Sequence, residues 1–151
     1  MKFSVNQQDL QQALSYCQGV IEKRSTLPIL SNVLLEIENS KLTLTATDLD
    51  LICIHHISNI EVLKEGKTTT TSSIMYDIVR KFSPGKKINF SLNDTNKLQL
   101  ESEKSIFNLN CISPSEFPIT DENFNENEFT LNSKQLLKLL NKCKFSISND
   151  E

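Results

Sequence analysis

A self-similarity at a shift of 126 residues constrains the fold of this chain more than any other feature of its sequence. Phe3–Ile21 falls on Phe129–Ile147 without a gap. Identical pairs are Phe3/Phe129, Asn6/Asn132, Leu10/Leu136, Leu14/Leu140, Cys17/Cys143 and Ile21/Ile147. Leu10, Leu14, Cys17 and Ile21 follow the i, i+4, i+7, i+11 stripe of an amphipathic helix. Each copy opens on a short strand pattern, Phe3-Ser4-Val5 or Phe129-Thr130-Leu131, and then an asparagine suited to cap a helix. Asp9 follows Asn6, and Gln135 follows Asn132, at the three-residue spacing of a capping box.

A fainter copy lies between these two. Thr68–Thr71 reads as a β-branched strand, or else as low complexity; its place before a capped helix favours strand. Ser72 or Ser73 is the expected N-cap, and Ile74, Ile78, Val79 and Phe82 the expected helical stripe. Between the helices the apolar period changes to two. Val33–Glu38 and Lys41–Thr47 flank a turn at Asn39-Ser40, and Leu51–Val62 is expected to form a third strand. After the second helix, Lys87–Leu92, Lys97–Ser102 and Ser105–Cys111 alternate in the same way.

The unit is therefore strand–helix–three strands, used twice in residues 1–119. It implies an α+β fold, with two helices covering one face of an antiparallel sheet built from both copies. Pro114 and Pro118 punctuate its end, and the acidic, Asn-rich stretch inside Asp121–Glu128 makes 120–127 a linker. Residues 128–151 open a third copy that is expected to stop just after its helix, as in a shortened chain.

Several chemistries lack support. The three glycines, Gly19, Gly66 and Gly85, are too dispersed for a phosphate-cradling loop. Cys17, Cys53, Cys111 and Cys143 form no C-x-x-C pair and read as reduced thiols. Asp48 and Asp50 could serve acid–base or metal chemistry, but no third ligand lies nearby and a strand-end turn accounts for both. His55 and His56 are adjacent in a strand, so they point to opposite faces and share no metal readily. No nucleophile motif surrounds any serine. The expectation is no catalysis, no metal and no cofactor. Without a membrane-length apolar run or a signal-peptide pattern, the default compartment is the cytoplasm.

Charge is unevenly spread. The chain carries a formal net charge of -3. Residues 7–24 are neutral, 72–82 carry one net positive charge and 133–145 carry four, which leaves the remainder strongly acidic. Lys134, Lys138 and Lys142 recur every four residues, opposite the Leu136/Leu140/Cys143 stripe. Such a face is either simply solvated or turned toward a polyanion.

Arg24-Ser-Thr-Leu-Pro-Ile-Leu-Ser-Asn-Val-Leu-Leu35 resembles the R-x-T-L-P-I-L-x-N-[LV]-L-L segment of the bacterial sliding-clamp family, the beta subunit of DNA polymerase III. The opening Met-Lys-Phe, Leu42–Asp50, Glu116-Phe117-Pro118, Phe129-Thr130-Leu131 and Phe145-Ser146-Ile147 are similar in the same order. The resemblance implies a DNA-clamp fold and a homodimeric ring of three-domain subunits, with helices lining the pore. It implies a non-catalytic processivity factor that encircles double-stranded DNA and tethers DNA polymerase III, with partners including the clamp loader. Carried over by position, Arg24, Arg80 and Asn149 join Lys134, Lys138 and Lys142 as DNA-contact candidates, and Phe107 and Leu109 become dimer-interface candidates. Ser73 stands where relatives can carry arginine, and Asp150 has the wrong sign for a phosphate contact. The partner-binding pocket of that family lies beyond Glu151, so a monomer that binds DNA weakly is expected here. A stand-alone interaction module that never encircles DNA is the alternative.

Overall fold

An amphipathic helix is stable in water only when a partner surface covers its apolar stripe. The fold answers this need by exchanging strands between the two copies of the unit. The computed structural model describes residues 1–21, 27–118 and 130–147. The chain divides into two compact units, Met1–Ile119 and Thr120–Glu151.

The first unit contains strand β1 (Lys2–Asn6), helix α1 (Gln7–Cys17), then β2 (Asn32–Glu38), β3 (Lys41–Thr47), β4 (Ile52–Ile57) and β5 (Ile60–Lys64). There follow β6 (Gly66–Thr71), α2 (Ser72–Val79), β7 (Lys87–Leu92), β8 (Lys97–Ser102) and β9 (Ser105–Ile112). Among the described residues the strands form one nine-stranded sheet in the order β4-β3-β2-β6-β9-β8-β7-β1-β5. β1 pairs antiparallel with β7 of the second copy, with Phe3 opposite Phe90 and Val5 opposite Ile88. β6 in turn pairs with β2 of the first copy. Each copy thus lends its opening strand to the other's meander, and neither sheet half is complete alone. The stacked rings of Phe3 and Phe90, with centroids 4.6 Å apart, mark one crossing.

Alternation does the rest. Val33, Leu35 and Ile37 on β2, Leu42, Leu44 and Ala46 on β3, Ile88 and Phe90 on β7, and Leu98 and Leu100 on β8 all point to the helix side and are buried. They join Leu10, Ala13, Leu14 and Cys17 of α1 and Met75 and Val79 of α2 in one core. Asn6 caps α1 as expected, its Oδ1 accepting the Gln8 N–H at 2.9 Å.

Two expectations are corrected. First, the stripe of α2 runs through Ser72, Met75 and Val79, continued by Phe82, while Ile74 is 51% exposed. The N-cap is Thr71, which makes no side-chain capping bond. The cause is strand register: β6 stays paired through Thr71, opposite Asn32, and passes straight into the helix, as β1 does at Asn6. Helix phase therefore follows the strand end rather than the nearest serine, and the second copy lies 65 residues after the first. Second, Leu51–Val62 is two strands, interrupted at Ser58-Asn59, and they occupy opposite ends of the sheet order. Since only those two residues join them, the sheet must curl until its ends approach. Helix α3 (Ser133–Cys143) of the second unit forms as expected, and it has no buried residue. Leu136 is 41% and Leu140 59% exposed, so the stripe exists without a cover among the described residues.

The turns carry their own chemistry. Asn39 and Ser40 both have positive φ, which suits a tight hairpin. Asp48 Oδ1 accepts the N–H groups of Asp50 and Leu51 at 3.0 and 2.6 Å, and Thr47 Oγ1 accepts that of Leu49. These bonds hold Leu49 at φ 85, so Asp48 is committed to turn geometry.

Candidate nucleic-acid interface

The sheet covers one side of α1 and α2 and leaves the other to solvent. On α1 that outer side carries Gln8, Gln11, Gln12, Ser15 and Tyr16, with Asp9 the one charge. Gln7 is buried beneath it, donating through Nε2 to Gln11 Oε1 at 2.7 Å and to the Val79 carbonyl at 3.0 Å. That side chain ties the start of α1 to the end of α2. A groove of about 440 Å³ runs beside it, lined by Gln8, Gln11, Gln12, Ser15, Tyr76 and Pro84.

Arg80 stands at the C-cap of α2, half exposed. Its guanidinium pairs with Asp77 Oδ1 at 3.1 Å and lies 5.9 Å from the centre of the Tyr76 ring. Ser73 is exposed and neutral. The solvent face of this helix pair is thus rich in amides and close to neutral.

The cationic density sits in the second unit. Asn132 Oδ1 accepts the N–H groups of Lys134 and Gln135, which fixes where α3 begins. Lys134, Lys138 and Lys142 then lie about 6 Å apart along the axis, four residues at 1.5 Å each. With Leu137 and Asn141 they line a shallow groove of about 430 Å³. A row of flexible ammonium groups attracts phosphates without reading bases.

The remaining candidates are scattered. Arg24 and Asn149, and with them Asp150, lie outside the described residues. Phe107 and Leu109 sit on β9, whose residues 105–110 pair with β8 on one side and have no strand partner on the other among the described residues. Leu109 is 8% exposed and belongs to the core; Phe107 is 38% exposed and meets Phe82 edge-on at 5.8 Å. Ile106, 57% exposed on the opposite face of β9, was not singled out in the sequence, although its alternation with Phe107 was legible there.

His55 packs against Tyr16, with ring centroids 5.3 Å apart, while His56 Nδ1 lies 3.1 Å from Thr43 Oγ1. Among the described residues no group of three or more His, Cys, Asp or Glu side chains could hold a metal. On the outer sheet face Lys87 and the Ser4 hydroxyl hold the Glu61 carboxyl below its ordinary range. Among the described residues no helix is long and apolar enough to cross a membrane.

A strand-swapped α+β unit with two helices on one sheet face, followed by the start of a third copy, is the architecture of a DNA clamp. Residues 1–121 match the family model of the DNA polymerase III beta subunit, N-terminal domain, and the chain belongs to that family. It is 33% identical over 153 residues to the beta sliding clamp of Caulobacter vibrioides, covering all of this chain and 41% of that protein. Its identity to the beta sliding clamp of Escherichia coli K12 is 30%, with the same coverage. The solved structure of Caulobacter crescentus pol III beta superposes with a TM-score of 0.92 at 32% identity, covering 100% of this chain and 40% of that one. The DNA polymerase III subunit beta of Pseudomonas aeruginosa gives 0.92 at 26% identity, with 100% and 41% covered. The chain thus spans about two fifths of the length of the curated relatives it matches.

Proposed function

We propose that this chain is the N-terminal part of a sliding clamp, a ring that encircles duplex DNA and keeps DNA polymerase III on its template. The observation that carries the reading is the strand-swapped helix pair on one sheet face, continued by α3 with its row of three lysines. The clamp acts by topology and does no chemistry. Its helical faces meet DNA through Lys134, Lys138, Lys142 and Arg80, joined by Arg24 and Asn149. The amide-rich face of α1 offers only short-lived, water-exchangeable hydrogen bonds. Contacts of this kind neutralise phosphates without sequence preference, which permits sliding.

Ring closure uses the open edge of β9, with Phe107 and Leu109 behind it, against a complementary edge of a second subunit's last domain. That contact is head-to-tail and needs both surfaces on each chain. The full-length protein forms a homodimeric ring in the cytoplasm, and its polymerase and clamp-loader contacts lie in domains beyond this segment. The segment alone is a monomer. Retention on plasmid DNA tests the reading. A full-length protein carrying this segment stays on nicked circles and slides off linearised molecules, whereas the 151-residue chain is retained on neither. Equal retention of the full-length protein on circles and linear DNA would overturn it.

A further inference from the structure

We propose that Cys17 and Cys53 are a thiol–disulfide site, in which a low-molecular-weight disulfide joins them and ties the last turn of α1 to strand β4. The two elements meet face to face at this point. Cys17 is the final residue of α1 and is wholly buried. Cys53, His55 and Ile57 alternate on the inward side of β4, Cys53 and His55 half-buried and Ile57 buried. Tyr16, one residue before Cys17, packs on His55, two residues beyond Cys53. Cys17 belongs to the core cluster, and the partly buried Cys53 packs against it. Opposite Cys53 on β3 stands Ala46, whose single methyl leaves room for the approach of α1. Cys53 is near enough to Cys17 to raise the proton affinity of its thiol. Cys111 is engaged elsewhere, with the Leu109 carbonyl, and Cys143 belongs to the other unit.

The chemistry balances with glutathione disulfide as oxidant. Cys53, the more exposed sulfur, attacks as its thiolate; the glutathione S–S bond breaks, and the departing glutathione takes up the proton that Cys53 released. The Cys17 sulfur then attacks Cys53 in this mixed disulfide and expels the second glutathione, which takes the Cys17 proton. The protein pair loses two electrons, and one glutathione disulfide becomes two glutathiones. Burial, reinforced by neighbouring Cys53, pushes the Cys17 thiol up to about 12. Burial of Cys17 persists in the mixed disulfide, so the second step is slow at neutral pH and accelerates as pH rises.

The test uses the whole chain with Cys111→Ser and Cys143→Ser, which leaves only this pair. Incubated folded with glutathione disulfide, it is expected to lose both thiols and retain no glutathione mass. It should yield a Cys17–Cys53 linked peptide that dithiothreitol releases, with linking faster at higher pH. A stable glutathione adduct on Cys53 beside a free Cys17 would overturn the proposal. So would linking that begins only once denaturant is added.

Discussion

Leu10 and Leu136 occupy the same position in two copies of one unit, so truncating each separates the helix from the sheet that covers it. Leu10 is completely buried in the core beneath α1. Its truncation removes roughly 1.5–3 kcal/mol of transfer free energy and leaves a cavity that the strands on the facing sheet cannot fill. The expected cost of Leu10→Ala is about 2–5 kcal/mol. Leu136 is 41% exposed on a helix with no buried residue. Leu136→Ala leaves no cavity there, and alanine is the better helix former, so the expected cost is about 0.5 kcal/mol or less. The chain has no tryptophan and two tyrosines, Tyr16 and Tyr76, which lie on α1 and α2. Tyrosine fluorescence in a urea titration therefore reports the first unit directly. With a slope of about 1–3 kcal/mol per molar urea, Leu10→Ala should lower the midpoint by about 1 M or more. Leu136→Ala should leave it nearly unmoved. Equal shifts would mean that the stripe of α3 is covered after all and that the reasoning is wrong.

The register of α2 predicts that Met75→Ala costs about 2–5 kcal/mol and Ile74→Ala under about 1, again by urea midpoint. For Cys17 the folded thiol binds its proton more tightly than the unfolded one, so its contribution is intact below about pH 9 and is lost as pH rises toward about 12. Midpoints compared with those of Cys17→Ala should converge over that window by roughly 1 kcal/mol per pH unit. Reversing Lys134, Lys138 and Lys142 to Glu in the full-length protein should flatten the salt dependence of DNA binding by about 2–3 units of slope, with little change in melting temperature. An unchanged slope would remove these lysines from the interface.

The fold was legible where local patterns and tertiary structure agree. Asn6 and Asn132 cap their helices, and the meander alternations face the core as written. The failures occur where a distant partner decides. Nothing near Ile74 signals that β6 stays paired through Thr71, because the strand that holds it, β2, lies some forty residues earlier. The break at Ser58-Asn59 is equally silent. The segment is polar enough for a turn, but the exchange of partners, from β3 to β1, belongs to the curled sheet and not to the dipeptide. A stripe in sequence also states only which residues can be buried, and α3 has the strongest stripe and no burial.

The candidate interface was legible as charge and obscure as geometry. The lysine row of α3 and the near-neutrality of the first helix pair could both be read from the sequence, whereas the pairing of Arg80 is visible only in the structure. Arg80 is a candidate by position alone, and in the structure Asp77, one turn away on the same face, pairs with it. That pairing does not disqualify Arg80. Both partners are half exposed or more, and an ion pair of this kind contributes about 0–1 kcal/mol at most. On the proposed reading, a phosphate arriving beside Arg80 would displace Asp77 at small cost, with the guanidinium still 5.9 Å from the Tyr76 ring centre. The Gln7 bridge adds the rigidity that a sliding surface needs, since it locks α1 to the carbonyl one residue before Arg80. On the same reading, the first helix pair would supply a firm, weakly adhesive face and α3 the attraction, as the position of the lysines and the packing of each helix suggest.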